Sequence, residues 1–460
     1  MTVNKTSNIA AVILAIDPGK RMNSATPTAL HPLLGRPLIQ NAIKAAQEAT
    51  GIKPILVFKQ LPEEVRQELD PYAGNILLES QLDVLKATLQ DQGEIDYVLV
   101  TRAEMPLMTG QTLSNVVAAH QTAVTDEKPL ALVTILTFAT HETSGFDRVI
   151  RGENEKIIAV SREAMVSPGK NEPREYDAGV YCFTADWLWQ ALESASPSPT
   201  NGRFLNELVK RAVLDGLPVG SVSIDDPNEA LVISTRIDLA EAEAILRQRV
   251  NQDLMLNGVT IIDPKTTYID ANIEIGKDSV IWPNTYLHGS TQIGENCAIG
   301  PNTILRDTRV GNHCIVLFSV SDGAIIEDKV DIGPFARLRK GAHLAEGVHM
   351  GNFGEIKNAY LGSGTKMGHF SYVGDTDVGT QVNIGAGVVV ANYDGKRKHQ
   401  TEIGARAFIG SDTILVAPLK VGEDAQTGAG AVVTKDVPPN TLAVGMPARA
   451  IRKKEKDDGP

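Results

Sequence analysis

His369, in the string MGHFSYVGD, is the best candidate general base in the chain. Imidazole titrates near neutral pH, so it can take a proton from an ammonium group under working conditions. Glu355, in GNFGEIKNA, is a candidate to orient that ring or tune its charge. Two cations stand in the same stretch. Arg339, in IGPFARLRKGAHL, carries a guanidinium that can fork phosphate oxygens, and Lys357 adds a compact point charge. A base in one stretch with two cations suits proton transfer on an anionic substrate.

Those residues lie within a repeat that must position them. Mostly aliphatic residues recur every six positions, at Ile275, Ile281, Leu287, Ile293, Ile299 and Leu305. The beat returns from Ile332 through Leu338, Leu344, Met350 and Ile356, and again from Leu361 through Met367 to Val373. A last set runs from Ile403 to Val433, and glycine often follows the aliphatic residue, as at Gly276, Gly351 and Gly410. A period of six fits neither a helix nor an ordinary strand. It fits a solenoid whose hexads each form a short strand and a turn around one aliphatic interior. Between Val390 and Ile403 the beat is interrupted by the polar, basic segment ANYDGKRK at 391–398. A loop extruded from a repeat face is a common place for binding.

The first half reads differently. Ile9–Ile16 is a continuous apolar run expected as a buried parallel strand. Further strands are expected at Lys53–Lys59, Tyr97–Thr101 and Leu130–Thr137, with helices at Leu38–Ala49 and Thr112–Thr122. This alternation predicts a doubly wound α/β domain over residues 1–235. Residues 236–257 predict an amphipathic linker helix with Leu239, Ala242, Leu246 and Val250 on its apolar side. The solenoid is expected over 258–450, with a frayed tail at 451–460.

Composition narrows the function. The net charge of -12 argues against a general nucleic-acid or membrane-surface binder, while leaving room for local basic pockets. The apolar run near the N-terminus is too short to span a bilayer and lacks the flanks of a secretion signal, so a cytoplasmic protein with no membrane insertion is expected. The three cysteines, Cys182, Cys297 and Cys314, have no metal-ligand spacing and read as buried small hydrophobes.

The segment Ile332–Asp436 resembles the left-handed parallel β-helix of hexapeptide-repeat acyltransferases. The strings VNIGAGVVVANYDGK and FIGSDTILVAPLKVG carry the likeness beside those quoted above. It is most similar to the C-terminal half of the bifunctional bacterial N-acetylglucosamine-1-phosphate uridylyltransferase / glucosamine-1-phosphate N-acetyltransferase family. The order of parts agrees over the whole chain. The resemblance implies acetyl-CoA as cosubstrate and a sugar phosphate as acceptor. It makes His369 the catalytic base and Arg339 and Lys357 phosphate anchors. Tyr372, Asn383, Asn392, Tyr393 and Lys398 fall at family positions for the acceptor. Ala386, Ser411 and Ala429 fall where the family places the acetyl-CoA arm. The ending AVGMPAR departs from the close family, which moves an expected cofactor-phosphate contact to Arg449 or Lys453. The resemblance also implies a homotrimer with sites between subunits.

The N-terminal half departs further. The family opens with a Gly-rich loop, LAAGxGTRM, whose glycines let backbone N–H groups face nucleotide phosphates. This chain reads LAIDPGKRM, so Asp17 adds negative charge and Pro18 removes a donor. The phosphate-binding Lys is Thr28, and the QLGTGHA segment reads QLDVLKA at 81–87. The magnesium motif reads AEMPL, leaving Glu104 as the candidate metal ligand, one methylene longer than Asp. The second metal ligand aligns with Ser234, the amino-sugar Glu with Val160 or Ser161, and an Asn with Asp177.

These residues predict an acetyltransferase whose uridylyl transfer is lost, with Mg²⁺ needed only if the N-terminal site is active. Three alternatives stay open. They are a fully bifunctional enzyme, an acetyltransferase for another amino sugar phosphate, and a non-catalytic scaffold.

Overall fold

The computed structural model describes residues 8–17, 19–61, 63–78, 85–90, 93–122, 124–125, 128–129, 131–141, 146–162, 174–194 and 204–453. The chain divides into two compact units, Met1–Ile245 and Leu246–Pro460. The division falls inside the helix Arg236–Leu256.

In the first unit the apolar run forms the strand Ile9–Ala15, buried along almost its whole length. It pairs in parallel with Ile55–Phe58 on one side and Tyr97–Arg102 on the other, and Asn75–Leu78 extends the sheet. The helices Ile39–Thr50 and Gly110–Thr122 follow their strands as the alternation predicts. The sheet is mixed, however. Arg174–Thr184 pairs antiparallel with Tyr97–Arg102, and Val133–Thr140 pairs antiparallel with Arg174–Thr184. Val133–Thr140 starts later than expected; Leu130 lies outside the described residues.

The second unit is a three-sided parallel β-helix. Its strands stack into three ladders of 12, 10 and 9 strands, each joining every third strand in the sequence until a final antiparallel hairpin ends the longest. One ladder runs Ile281, Ile299, Val316, Ile332 and Met350, all buried in one core with Leu287, Leu305 and Leu338. The coils also continue without a break between Leu305 and Ile332, where Val310, Val316, Ser321 and Ile326 fill the interior positions. The beat is hidden there because some hexads lose a residue and one interior position is a serine. The helix end packs on this core through Val250 and Leu254.

The last turn differs from expectation. Ala448–Lys453 folds back antiparallel on Thr441–Gly445, so the end of the chain is ordered as far as Lys453. Residues 454–460 lie outside the described set. All three cysteines are free and buried.

Candidate active site

Four strands of one β-helix face carry the polar centre. Arg337, Glu355, Tyr372 and Val389 pair in sequence across Arg337–Leu338, Gly354–Lys357, Ser371–Gly374 and Val389–Ala391. Arg339 follows the first of these strands, its backbone N–H fixed on the Ile356 carbonyl at 2.9 Å. Its Nη1 donates to Glu355 Oε1 at 2.9 Å. Lys357 lies beside Lys398, whose hydrogen-bonded ammonium pushes the Lys357 pKa below its ordinary value, with Arg339 adding to the effect. Arg339 and Lys398 both act on Lys357, and cations brought together in this way suit an anion of more than one charge.

A buried carboxylate organises the groups next to them. Asp375 accepts from Asn392 Nδ2 through one oxygen and from Asn358 Nδ2 at 2.6 Å through the other. Asn392 is thereby held in a single orientation. Gly374 lies beneath, and a Cβ there would stand 2.4 Å from Tyr372 Oη and 2.9 Å from Asn392 Nδ2. Glycine is therefore what lets the Tyr372 hydroxyl and the Asn392 amide converge.

The extruded segment is closed by Asp394. Its Oδ1 accepts from the backbone N–H groups of Lys396 and Arg397 at 2.7 Å each, and its Oδ2 meets His399 Nε2 at 2.7 Å. These contacts hold its carboxyl well below the usual carboxylate range. Tyr393 bridges antiparallel to Lys398, and its hydroxyl donates to the Gly395 carbonyl. The loop thus returns Lys398 to Lys357.

His369 sits at the corner between two faces, after the strand Lys366–Met367 and before Ser371–Gly374, with its side chain exposed. The ladder registers place Ala386, Ser411 and Ala429 at the same corner in the following coils. Backbone bonds tie that corner together: Gly387 N–H to Phe370 O at 2.7 Å, Asp412 N–H to Ala386 O at 2.6 Å, and Gly430 N–H to Ser411 O at 2.8 Å. The result is a straight track leading away from His369.

Two groups of sequence candidates are therefore brought together, one around Arg339 and one along the His369 corner. Asn383 lies elsewhere, on the neighbouring face between Lys366 and Phe408. Arg449 is exposed in the final hairpin opposite Val444. Glu355 was expected to serve His369; within this chain its carboxylate is bonded to Arg339.

The N-terminal loop is organised around its own acids. Asp17 Oδ1 accepts the Gly19 N–H at 3.0 Å, so a carboxylate occupies a donor that could face a phosphate. Arg21 Nη2 donates to Ser234 Oγ at 2.8 Å. Glu104 is 1% exposed and neither carboxylate oxygen has a hydrogen-bond partner; Arg102 Nε stands 3.8 Å away. Burial raises its pKa. Asp177 sits at a bulge in its strand, accepts from the Gly179 N–H at 2.8 Å and the Tyr181 hydroxyl at 2.8 Å, and is pushed up to about 6 by burial. Val160 is buried and Ser161 pairs with Arg148 across a hairpin. Pro18 and residues 81–84 lie outside the described residues.

Comparison with known proteins places these parts in one lineage. Residues 11–141 match the MobA-like NTP transferase domain, 262–353 the GMPPB C-terminal domain, and 400–435 the hexapeptide repeat of succinyl-transferase. The chain is 36% identical over 458 residues to the bifunctional protein GlmU of Pelobacter propionicus, covering 97% of each. The chain belongs to the GlmU family. GlmU proteins of Syntrophomonas wolfei and Heliobacterium modesticaldum are 38% and 39% identical, covering 95% and 94% of this chain and 97% and 94% of their own. The second unit is accordingly the left-handed parallel β-helix of hexapeptide proteins, and the first a nucleotidyltransferase fold.

Sequence reasoning missed two residues that position the candidate groups. Asp375 fixes Asn392, and Asp394 fixes the loop that carries Lys398. The signal for Asp394 was present as Asp-Gly in the extruded segment, a turn-forming pair. Asp375 gave no local signal, because its partners arrive from other coils.

Proposed function

We propose that this chain transfers acetyl from acetyl-CoA to glucosamine-1-phosphate and that its N-terminal half has lost uridylyl transfer. The observation that carries the first part is the meeting of Arg339, Lys357 and Lys398 on a face adjoining the His369 corner. The cations hold the phosphate, and Tyr372 and Asn392 position the sugar. The amine attacks the thioester carbonyl, His369 takes the proton from the attacking nitrogen, the C–N bond forms as the C–S bond breaks, and that proton passes to the departing sulfur so that CoA leaves as its thiol. The track of Ala386, Ser411 and Ala429 has only small side chains, which suits an extended pantetheine arm; Asn383, Tyr393 and Arg449 remain candidate contacts.

Several observations support the second part. A triphosphate would meet Asp17, with the Gly19 N–H already satisfied. Magnesium would find Ser234, whose hydroxyl accepts from the Arg21 guanidinium, where the family offers an amide. The residues do not fit the ion, and no step is assigned to it.

Homotrimeric assembly belongs to the same reading. Phe335, Phe353 and Phe370 are more than half exposed along the corner beside His369, and the first two rings stack at 5.2 Å. An apolar stripe of this kind calls for cover by another subunit. A cytoplasmic site of action goes with these substrates; among the described residues no helix is long and apolar enough to cross a membrane.

Thiol release from acetyl-CoA with glucosamine-1-phosphate tests the first part, with His369→Ala expected to lose roughly 10²–10⁴-fold in kcat. Absence of turnover in the native chain, with turnover on another amino sugar phosphate, would replace the acceptor. Pyrophosphate release from UTP, N-acetylglucosamine-1-phosphate and Mg²⁺ at the rate of an active nucleotidyltransferase would sink the second part.

A further inference from the structure

Asn358, Asp375 and Asn392 form a column along one corner of the β-helix. Each follows directly on a strand of the polar face, Gly354–Lys357, Ser371–Gly374 and Val389–Ala391, in three successive coils. Asp375 stands in the middle and is 8% exposed. Its backbone is fixed from both sides: its N–H donates to the Lys357 carbonyl at 3.1 Å, and its carbonyl accepts the Thr401 N–H at 3.1 Å. Both carboxylate oxygens are engaged, Oδ1 by Asn358 Nδ2 at 2.6 Å and Oδ2 by Asn392 Nδ2. An ionised carboxylate can only accept, so it settles which end of each amide faces it. Asn392 is 7% exposed, and its backbone carbonyl accepts the His399 N–H at 2.8 Å. With Nδ2 held by Asp375, Oδ1 is the open end of the amide, and it takes no partner among the described residues.

We propose that Asp375 is a positioning residue that makes Asn392 an acceptor toward the attacking nitrogen, and that this selects an amine over a hydroxyl as nucleophile. A neutral primary amine has two N–H bonds. One proton goes to His369, and the other N–H can be held by Asn392 Oδ1, which aims the nitrogen lone pair at the thioester carbonyl. A hydroxyl has a single proton, which the base must take, and it leaves the amide oxygen without a donor. A reversed amide would set its own N–H groups against those of the amine. The Tyr372 hydroxyl converges on the same amide across Gly374, so the acceptor sugar and the amide share one small space. The inference rests on the reading that this chain acetylates an amino sugar phosphate at His369.

The test is steady-state thiol release by the full chain with acetyl-CoA and glucosamine-1-phosphate. Asp375→Leu should lower kcat roughly ten- to a hundredfold, the worth of one hydrogen bond to a charged group. KM for the sugar phosphate should not rise, because Arg339, Lys357 and Lys398 are untouched. Asp375→Asn decides the matter should Asp375→Leu fail to fold. The amides of Asn358 and Asn392 then compete for a single acceptor oxygen and one of them must reverse, so kcat should fall severalfold. Adding Asn358→Asp to Asp375→Asn supplies an acceptor on the far side, returns the oxygen at position 375 to Asn392 and should restore kcat. An unchanged kcat in Asp375→Asn, a matching rise in KM, or no rescue by the second substitution overturns the inference and leaves the acetyl transfer standing. No turnover of the native chain on any amino sugar phosphate overturns both.

Discussion

Arg339 and Glu355 are bound to each other across adjacent coils, Nη1 to Oε1 at 2.9 Å. The pair fixes the direction of a guanidinium that would otherwise sweep the surface. It also offsets part of the charge that Lys357 and Lys398 bring to the same face. Glu355 thus acts first on the anion anchor. Glu355→Gln is expected to raise KM for the sugar phosphate roughly two- to fivefold, the range of a half-exposed pair worth about 0.5–1 kcal/mol. kcat should change less than KM. A fall in kcat alone, with an altered acid limb of the pH profile, would instead tie Glu355 to His369.

Lys357 and Lys398 make the proposed phosphate site sensitive to alkali. The neighbouring ammonium of Lys398, with Arg339, holds the Lys357 pKa below the ordinary lysine value. Lys357 therefore loses its proton at lower pH than a free lysine, and phosphate affinity should fall as pH rises through that value. Like-charge repulsion is greatest below that pH and is relieved above it. Lys398→Met removes the repulsion, so Lys357 should keep its proton to higher pH. Kinetics across the alkaline range check this: KM rises at neutral pH, while the alkaline increase in KM moves upward. An alkaline limb unmoved by the substitution would assign the titration to another group.

The β-helix was legible because its interior is built from one repeated choice, an aliphatic residue such as Ile281 or Met350 at each strand. It became illegible between Leu305 and Ile332, where Ser321 takes an interior place and coil lengths shift. The residues around Arg339 were legible by chemical type, but their pairings were not. Register joins Glu355 to a face with Arg337 and Tyr372, and only the loop closure by Asp394 returns Lys398 to Lys357. Asn383 shows the limit most clearly. It lies close to His369 in sequence order, yet the turn at the corner puts it on the next face. In the first unit the parallel strands announced themselves as apolar runs, whereas the antiparallel extension through Arg174–Thr184 mixes polar residues into its strands and was missed.

Gly351 tests how tightly the corner is packed. A Cβ there would stand 2.0 Å from the Gly368 carbonyl oxygen, one residue before His369. Backbone cannot yield as a flexible side chain can. Gly351→Ala is expected to cost about 1–3 kcal/mol from overpacking and to lower acetyl transfer by displacing His369. Thermal melting and thiol release measured on the same sample check it. An unchanged melting temperature would mean that the coils separate more easily than their ladder bonds imply.

Asp177 makes the opposite prediction for stability. Burial lifts its carboxyl from 3.8 to about 6, even though Gly179 and Tyr181 both donate to it. A raised folded value favours the protonated form. Its contribution is present in full below 3.8 and is lost as pH climbs through 6, reaching a penalty of about 3 kcal/mol for the ionised acid. Asparagine keeps the acceptor for the Gly179 N–H and cannot ionise. Its amide can donate to the Tyr181 hydroxyl, which then turns its own proton to Asn206 Oδ1, 2.9 Å away. Asp177→Asn should therefore stabilise the first unit by about 1–3 kcal/mol at pH 8 and have little effect at pH 4. Denaturant unfolding followed through Trp187 and Trp189 at the two pH values reads this directly. A variant less stable at pH 8 would show that the charged carboxylate is held by a partner, and the cost of its burial would have to be assigned elsewhere.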